Sequence, residues 1–166
     1  MKKHLILDHQ AITARTRRIA FQIYETNADE KVLYIVGIAH KGMAFAQKIC
    51  KVLEEISPLK IELVTLSLDK KNPTQSIQTS IPLENMEGHA IVLVDDVLYT
   101  GKTLVHALAY LLQISVKRIK TAVLVNRNHK QYPVKADFKG ISLSTSLKEH
   151  VEVVLDGSQM TAHLSE

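Results

Sequence analysis

Two adjacent carboxylates followed by a short, hydroxyl-rich loop are the residues of this chain best suited to chemistry. Asp95 and Asp96 come directly after the apolar residues 91–94, which predict a strand buried on both faces of a parallel sheet. The next loop, called the phosphate loop below, consists of Tyr99, Thr100, Gly101, Lys102 and Thr103. It opens an apolar-periodic helix, so its backbone N–H groups can hold a phosphate. The carboxylates can accept hydrogen bonds from ribose hydroxyls or face hydrated Mg²⁺, which predicts a sugar-phosphate site.

Two other interpretations of this pattern are possible. An ordinary strand, turn and helix with a capping threonine would need no ligand, because such caps are common. A Walker A loop would require a glycine five positions before Gly101, where Asp96 stands instead. The coincidence of the strand, the carboxylate pair and the loop favours the sugar-phosphate site.

A second glycine-containing turn follows the apolar residues 33–36 and is called the pyrophosphate loop below. It consists of Gly37, Ile38, Ala39, His40, Lys41 and Gly42. The glycines at its two ends permit a tight backbone, including a non-proline cis peptide bond, that directs N–H groups at an anion. Together with the phosphate loop, this turn indicates a second anion subsite.

Composition limits the class of protein. The chain has 166 residues, of which 46% are hydrophobic and 23% charged, as expected for one globular domain with its own core. Its formal charge of +4 suits either a polyanionic small substrate or a nucleic acid. Cys50 is the only cysteine, which excludes an internal disulfide and a cysteine metal cluster. No apolar run is long enough to span a bilayer and no signal-peptide core is visible, so we expect a cytoplasmic protein without membrane contacts.

Short apolar strands alternate with amphipathic helices, which predicts a single α/β domain of residues 1–166 with a mainly parallel sheet. Helices are predicted at residues 8–24, 42–56 and 103–114. Strands are predicted at residues 32–36, 61–66, 91–94, 119–125, 138–143 and 151–155. The polar residues 69–80, called the flexible loop below, lack convincing periodicity although they lie between two predicted core strands.

The carboxylate pair and the phosphate loop carry a resemblance to a known family. Apolar residues followed by acidic-acidic-x-x-x-Thr-Gly-x-Thr resemble the 5-phosphoribosyl-1-pyrophosphate (PRPP) signature of the type I phosphoribosyltransferases. Over residues 6–155 the order of segments is similar to the bacterial pyrimidine operon attenuation regulators, type I enzymes that also have uracil phosphoribosyltransferase activity. The second specific match is residues 122–138, where these relatives have Asp-Arg-Gly-His in place of Asn126, Arg127, Asn128 and His129.

This resemblance implies a fold, a reaction and a set of site residues. The fold is a central, mainly parallel sheet flanked by helices, with a small hood made by the N- and C-terminal segments. The reaction converts a nucleobase and PRPP to a nucleoside monophosphate and pyrophosphate, with Mg²⁺ near Asp95 and Asp96 through water. These carboxylates and Lys41 are the implied catalytic residues, and Lys41 stands where the resemblance leads us to expect an Arg. The implied pyrophosphate-binding residues are Gly37, Ala39, His40, Lys41 and Gly42.

The resemblance also implies a role for the flexible loop. In the family the corresponding segment closes over PRPP and excludes water from the reactive centre. Lys70 and Lys71 are then placed to meet pyrophosphate oxygens on closure. The alternative is a plain connector whose lysines are solvated.

The base is expected to be uracil. Purine enzymes of the 6-oxo type carry an Asp just before the Thr-Gly of the phosphate loop and a Lys after the next strand, and these positions resemble Tyr99 and Asn126 here. Loss of both groups argues against hypoxanthine and guanine, although a purine enzyme stays an alternative. We expect backbone groups near Val125, Asn126 and Arg127 to hold a uracil-sized ring, unless Arg127 is only a surface ion-pair partner.

A regulator that binds RNA when a uridine nucleotide is present is the alternative from another class of function. Its phosphate contacts would come from basic residues, namely Arg15, Arg17, Arg18, Lys148 and His150. Phe21 and Leu147, however, stand where the resembled regulators have a His and a basic residue. The sequence therefore favours the enzyme over the RNA regulator. The resemblance also implies a homodimer or a higher homo-oligomer.

Overall fold

The computed structural model describes residues 2–166, which form two sheets and three α-helices. In chain order the elements are β1 (Lys3–Leu7), α1 (His9–Asn27), β2 (Val32–Ile38), α2 (Lys41–Ile56), β3 (Lys60–Ser67), β4 (Gln78–Thr79), β5 (Ala90–Leu98), α3 (Lys102–Leu111), β6 (Arg118–Arg127), β7 (Phe138–Leu143), β8 (His150–Val154) and β9 (Thr161–Ser165). A short 3-10 helix, Leu83–Met86, precedes β5.

The larger sheet has six strands in the order β4-β3-β2-β5-β6-β7. Its strands are parallel except for the short edge strand β4, which pairs antiparallel with β3. Helices α1 and α2 cover one face and α3 covers the other, so each face has its own apolar core. Strands β2 and β5 are apolar along most of their length because both of their faces are covered. The predicted α/β class is confirmed.

The smaller sheet is the predicted hood. Its three strands run in the order β1-β9-β8, with β9 antiparallel to both neighbours. The hood therefore does combine the two ends of the chain, as expected. The strands β1 and β9 were not predicted. Strand β1 pairs only with β9, which comes from the opposite end of the chain, and β9 lies between β1 and β8.

Several boundaries differ from the sequence prediction. Strand β5 continues to Leu98, so the prediction that it ends at residue 94 is wrong. The reason is its pairing with β6, which continues through the register Asp95↔Val123 and Leu98↔Asn126. Helix α1 extends to Asn27, beyond the predicted end at residue 24, and α3 ends at Leu111 rather than at residue 114.

Two arginines of α1 attach this helix to β7. The Nη1 of Arg15 donates to the carbonyl oxygen of Gly140 at 3.2 Å, and the Nη2 of Arg18 donates to the same oxygen at 2.7 Å. Arg17, which lies between them in sequence, instead places its guanidinium 5.3 Å from the ring centroid of Phe21. Arg15 and Arg18 thus have a structural role inside this chain.

The two aromatic residues Phe45 and Phe21 should differ sharply in their effect on stability. Phe45 of α2 is fully buried in the core, whereas Phe21 of α1 is 42% exposed. We expect Phe45→Ala to lower the free energy of unfolding by about 3–5 kcal/mol, through lost transfer energy and an unfilled cavity. Phe21→Ala should cost about 1 kcal/mol or less, mainly the contact with Arg17. Urea denaturation measures both values, and equal losses would contradict this assignment of the core.

Candidate functional site

Asp95 and Asp96 lie inside β5 and are almost completely buried, with exposed fractions of 2% and 7%. The backbone N–H of Asp96 donates to Oδ1 of Asp95 at 2.9 Å. The start of α2 packs directly against them, because a Cβ on Gly42 would lie 2.9 Å from the same Oδ1 and 2.9 Å from the carbonyl oxygen of Val94. Only glycine fits at position 42, so this residue brings the predicted pyrophosphate loop against the carboxylate pair.

The environment of Asp95 favours its neutral form. Burial and then the charge of Asp96 raise the pKa of Asp95 to about 8, although Lys70 acts in the opposite direction. At neutral pH the free site therefore keeps a proton on this carboxyl. A cation close to the pair would favour loss of that proton, which makes the pair a place where a positively charged group is stabilised.

The phosphate loop has the backbone that its glycine predicts. Gly101 has φ +87° and directly precedes α3, so the loop opens at the positive end of that helix. The carbonyl oxygen of Thr100 accepts hydrogen bonds from the N–H groups of Gln131 at 2.8 Å and Tyr132 at 3.1 Å. A Cβ on Gly101 would lie 2.5 Å from Cγ1 of Val134. Residues 131–134 therefore contact the phosphate loop and support its backbone.

One cavity brings seven of the predicted residues together, namely Lys70, Asp95 and the five residues of the phosphate loop. It lies between β5, the phosphate loop and the flexible loop. It is lined by Lys70, Asp95, Val97, Leu98, Tyr99, Thr100, Gly101, Lys102, Thr103 and Leu104. A phosphate at the loop and hydroxyl groups at the carboxylate would both fit the polarity of these walls.

The pyrophosphate loop joins β2 to α2 beside this cavity. Its peptide bond between Ala39 and His40 is cis, and the Ala39 N–H donates to the carbonyl oxygen of Leu66 at 2.9 Å. Ala39, His40 and Lys41 line a cleft that they share with Lys70. Gly37 lies further back in β2, where it pairs with Thr65 and Val94. Four of the five predicted residues thus face either the cleft or the carboxylate pair.

The flexible loop reaches the carboxylates through one of its two lysines. The Nζ of Lys70 is 3.9 Å from Oδ1 of Asp95. Lys71 is exposed, and its backbone N–H donates to Oδ1 of Asp69 at 2.9 Å. The end of this loop is less irregular than predicted, because Gln78 and Thr79 form the edge strand β4. The two lysines are therefore not equivalent in the structure.

The three residues expected at the base are placed differently from one another. The Val125 side chain is fully buried in the core. Asn126 donates from Nδ2 to Oγ of Ser142 at 3.2 Å, and its buried Oδ1 has no hydrogen-bond partner. Arg127 is also buried, and its donors are taken by residues 145–149 rather than left open to a ligand. The alternative of a surface ion pair for Arg127 is wrong, since this residue is 2% exposed and bonds to neutral groups.

Some site residues could not be found from the sequence. Tyr132 and Val134 support the phosphate loop, and Thr145 contacts both Arg127 and the ring of His129. These contacts join positions far apart in the chain, and they follow no local spacing rule. The resemblance of residues 122–138 to the family was the one signal near them.

Across residues 2–166 no three or more His, Cys, Asp or Glu side chains are grouped to hold a metal ion. Asp95 and Asp96 could supply two carboxylates, so further ligands would have to come from substrate oxygens or water. No α-helix in these residues is long and apolar enough to cross a membrane.

Comparison with known proteins adds to this geometry. The model of the phosphoribosyl transferase domain matches residues 4–156. Curated relatives called "Bifunctional protein PyrR" include one from Macrococcus caseolyticus, 34% identical over 163 residues and covering 94% of each chain. Another, from Corynebacterium diphtheriae, is 37% identical over 162 residues and covers 90% of this chain and 85% of its own.

Solved structures show the same fold. A hypoxanthine-guanine phosphoribosyltransferase from Bacillus anthracis has a TM-score of 0.74 at 12% identity, covering 87% of this chain and 85% of its own. A hypoxanthine phosphoribosyltransferase from Trypanosoma cruzi has a TM-score of 0.73 at 16% identity, covering 84% and 81%. At such low identity these two structures establish the fold and not the base. Together with the family match and the PyrR relatives, they show that this chain belongs to the phosphoribosyl transferase family and is a type I phosphoribosyltransferase close to PyrR.

Proposed function

We propose that this protein transfers the phosphoribosyl group of PRPP to a nucleobase, with uracil as the preferred base and uridine monophosphate as the product. The observation that carries the proposal is one cavity that combines the buried Asp95 with the Gly101 loop at the start of α3. A sugar phosphate has the two matching groups, ribose hydroxyls and a dianionic phosphate. Family membership supports the same reaction class.

PRPP is placed by three groups of residues in this proposal. The 5-phosphate binds at the phosphate loop, where backbone N–H groups at the start of α3 and the hydroxyls of Thr100 and Thr103 can donate to it. The ribose hydroxyls donate to Asp95 and Asp96. The pyrophosphate lies at the pyrophosphate loop, where Lys41 adds charge without the two-point geometry of an arginine.

The residues present fit Mg²⁺ as the cofactor. The raised pKa of Asp95 and the approach of Lys70 to its Oδ1 indicate that the carboxylate pair is stabilised by a cation. Mg²⁺ usually keeps several waters and binds through one or two carboxylates plus substrate phosphates, which matches a pair without further protein ligands. When bound, Mg²⁺ would neutralise charge on the pyrophosphate leaving group.

The reaction needs positioning and charge stabilisation rather than a protein nucleophile. The bond between C1 of the ribose and the pyrophosphate oxygen breaks, a ring nitrogen of the base bonds to C1, and the proton of that nitrogen passes to the departing pyrophosphate. Lys41 and the N–H groups of the pyrophosphate loop stabilise the departing oxygens, while Asp95 and Asp96 fix the sugar. Closure of the flexible loop excludes water, which would otherwise attack C1.

Two residues support uracil over a 6-oxopurine. Tyr99 occupies the position that resembles the purine-contacting Asp of the 6-oxopurine enzymes, and its ring is held under Arg127. Asn126 occupies the position of the donor Lys, and its Oδ1 has no partner within the protein. The purine 6-oxygen would therefore meet no cationic donor at this position. A purine enzyme stays the alternative.

Residues 1–166 act as one domain in this proposal. The apolar core beneath α1 and α2 contains Leu7, Val153 and Ala162 of the hood together with Ile35 and Val92 of the large sheet. Because both sheets share that core, the hood is held over the carboxyl ends of the parallel strands, where ligands bind in open α/β sheets. A homodimer or a larger homo-oligomer is part of the proposal on the basis of the family resemblance alone.

RNA binding is the second candidate function, and the relatives' name "Bifunctional protein" favours considering it. The first helix offers fewer free phosphate contacts for RNA than the sequence suggests, because Arg15 and Arg18 donate to the carbonyl oxygen of Gly140. Arg17 is the exposed arginine of the three that lacks a backbone tether, and it faces Phe21 and Glu55 instead. Leu147 is 71% exposed in the other half of the expected footprint and offers no donor to RNA.

Replacement of Asp95 tests the proposed function. Since Asp95 must lose its proton to hold Mg²⁺ or accept from ribose, the affinity of the wild-type protein for PRPP with Mg²⁺ should increase as the pH rises through about 8. Asp95→Asn should bind about 10–100-fold more weakly and show no such pH dependence. Titration calorimetry at several pH values measures this, with the exposed Asp29→Asn as the matched control.

Stability separates loss of binding from loss of folding in this experiment. The raised pKa of Asp95 means that its contribution to stability is present at acid pH and is lost as the pH rises from its unfolded value toward about 8. Asp95→Asn should therefore be no less stable than the wild-type protein near that pH. Wild-type affinity in the Asn variant would overturn the assignment of the carboxylate.

Closure of the flexible loop gives another test. Without ligand, amides of residues 69–77 should exchange rapidly, because this part of the loop has no regular helix or strand. PRPP with Mg²⁺ should slow their exchange, and Lys70→Gln should reduce this protection more than Lys71→Gln, since Lys70 alone of the two reaches Asp95. Exchange that is equal with and without bound ligand would reduce the segment to a connector.

The RNA alternative is tested by titration with a pyrimidine-operon hairpin at near-physiological salt. We expect weak binding that uridine monophosphate does not enhance. A hairpin of scrambled sequence should bind with the same affinity. Arg17→Gln is the informative variant, because Arg15 and Arg18 also hold β7. Sequence-specific binding enhanced by the nucleotide, together with a salt slope that falls by about one unit in Arg17→Gln, would instead establish the regulator.

A further inference from the structure

Arg127, the last residue of β6, packs its guanidinium group against the Tyr99 ring, which lines the ligand cavity. Its Cζ lies 4.0 Å from the centroid of the Tyr99 ring, within the range of a cation–π contact. Tyr99 is the first residue of the phosphate loop and lines the cavity that holds Asp95. The guanidinium itself is buried behind that ring, so it does not present its donors to the cavity.

The side-chain hydrogen bonds that Arg127 donates through Nε and Nη2 reach one segment between β7 and β8, residues 144–149, called the tethered segment below. Its Nε donates to Oγ1 of Thr145 at 3.0 Å. Its Nη2 donates to the carbonyl oxygens of Ser146 at 3.3 Å and Glu149 at 2.6 Å. Since a buried guanidinium is costly unless its donors are satisfied, these bonds fix the segment and the arginine relative to each other.

Within residues 2–166, the other side-chain hydrogen bonds between the tethered segment and the rest of the protein come from the same end of β6. The ring of His129 bonds to the carbonyl oxygen of Thr145, and Oδ1 of Asn128 accepts from the Thr145 N–H at 3.4 Å. The His129 ring also lies edge-on to Tyr99, with 6.0 Å between centroids. The Tyr99 ring therefore contacts two side chains that both hold this segment.

The tethered segment is otherwise weakly held. It has no regular helix or strand, and Leu147 in its middle is 71% exposed. Segments with few buried contacts open at low free-energy cost, so small changes at their attachment points alter how often they open. The attachment point here is the guanidinium that also contacts Tyr99.

We infer that Arg127 is a positioning residue that couples the head of the phosphate loop, through the Tyr99 ring, to the tethered segment 144–149. A phosphoribosyl ligand that fixes Tyr99 then stabilises the closed arrangement of the segment, although no atom of the segment lines the cavity around Asp95. The inference rests on the proposed function, because it needs a ligand at the phosphate loop. Because thermodynamic coupling is reciprocal, the closed segment should raise the affinity for the ligand. The increase equals the factor by which the ligand slows amide exchange in the segment.

Hydrogen exchange combined with calorimetry tests the coupling, with uridine monophosphate and PRPP plus Mg²⁺ as probes. In the wild-type protein, either ligand should slow exchange of amides 144–149 about fivefold or more. Arg127→Lys keeps the charge but loses the planar fork, so the ligand-dependent protection should be lost and affinity should fall by the same factor. Tyr99→Leu should have the same effect, and Tyr99→Phe should restore the coupling because it keeps the ring.

The first residue of the same strand supplies the matched control. Arg118 also donates to several acceptors, Oδ1 of Asn27 at 2.8 Å and Oε1 of Glu30 at 3.3 Å, but at the opposite end of β6. Arg118→Lys should change the protection of residues 144–149 by less than about twofold, beyond any general loss of stability. If Arg127→Lys does not fold, Thr145→Val removes one tether of the segment and should reduce the protection in part.

The outcomes distinguish the two proposals. Ligand binding with unchanged exchange of residues 144–149 would overturn the coupling and leave the proposed function intact. Absence of binding for both ligands in calorimetry would overturn the proposed function and the coupling with it. Equal loss of protection in Arg118→Lys and Arg127→Lys would show that only general stability was altered, which also contradicts the coupling.

Discussion

Burial of two adjacent carboxylates on the central strand is the constraint on which the rest of this site depends. Asp95 and Asp96 lie in β5 with parallel strands on both sides, and burial, followed by the charge of Asp96, raises the pKa of Asp95. The protein places Gly42 and Lys70 against the same Oδ1. A buried like-charged pair is unfavourable without a proton or a cation. The site is thus prepared for positively charged partners before any ligand binds.

The phosphate loop depends on contacts from the connection between β6 and β7. The carbonyl oxygen of Thr100 accepts two N–H groups from residues 131–134, and the Tyr99 ring is packed against Arg127 and His129. The connection between β6 and β7 therefore supports the loop from one side while the start of α3 provides N–H groups on the other. Such support keeps anion-binding groups in place without a bound ligand, which lowers the entropy lost on binding.

Several parts of the fold and site follow from sequence because they depend on local patterns. The apolar run before Asp95 predicts a buried parallel strand, and Gly101 is needed where φ is +87°. The predicted strand at residues 138–143 agrees with β7, and α2 begins within one residue of its predicted start. Short strands such as β1 and β9 could not be predicted, because their pairing joins opposite ends of the chain.

The sequence by itself thus determined the α/β alternation, the carboxylate pair and the loop that follows it, since each depends on residues that are neighbours in the chain. Only the tertiary structure decided what those residues contact. It extended β5 beyond residue 94 by pairing with β6, and it made the Arg127 side chain the anchor of residues 144–149. It also placed Lys70 near Asp95 while Lys71 stays exposed to solvent. The physical reason is that burial, and with it the partner of each charge, is set by strands and loops distant in sequence.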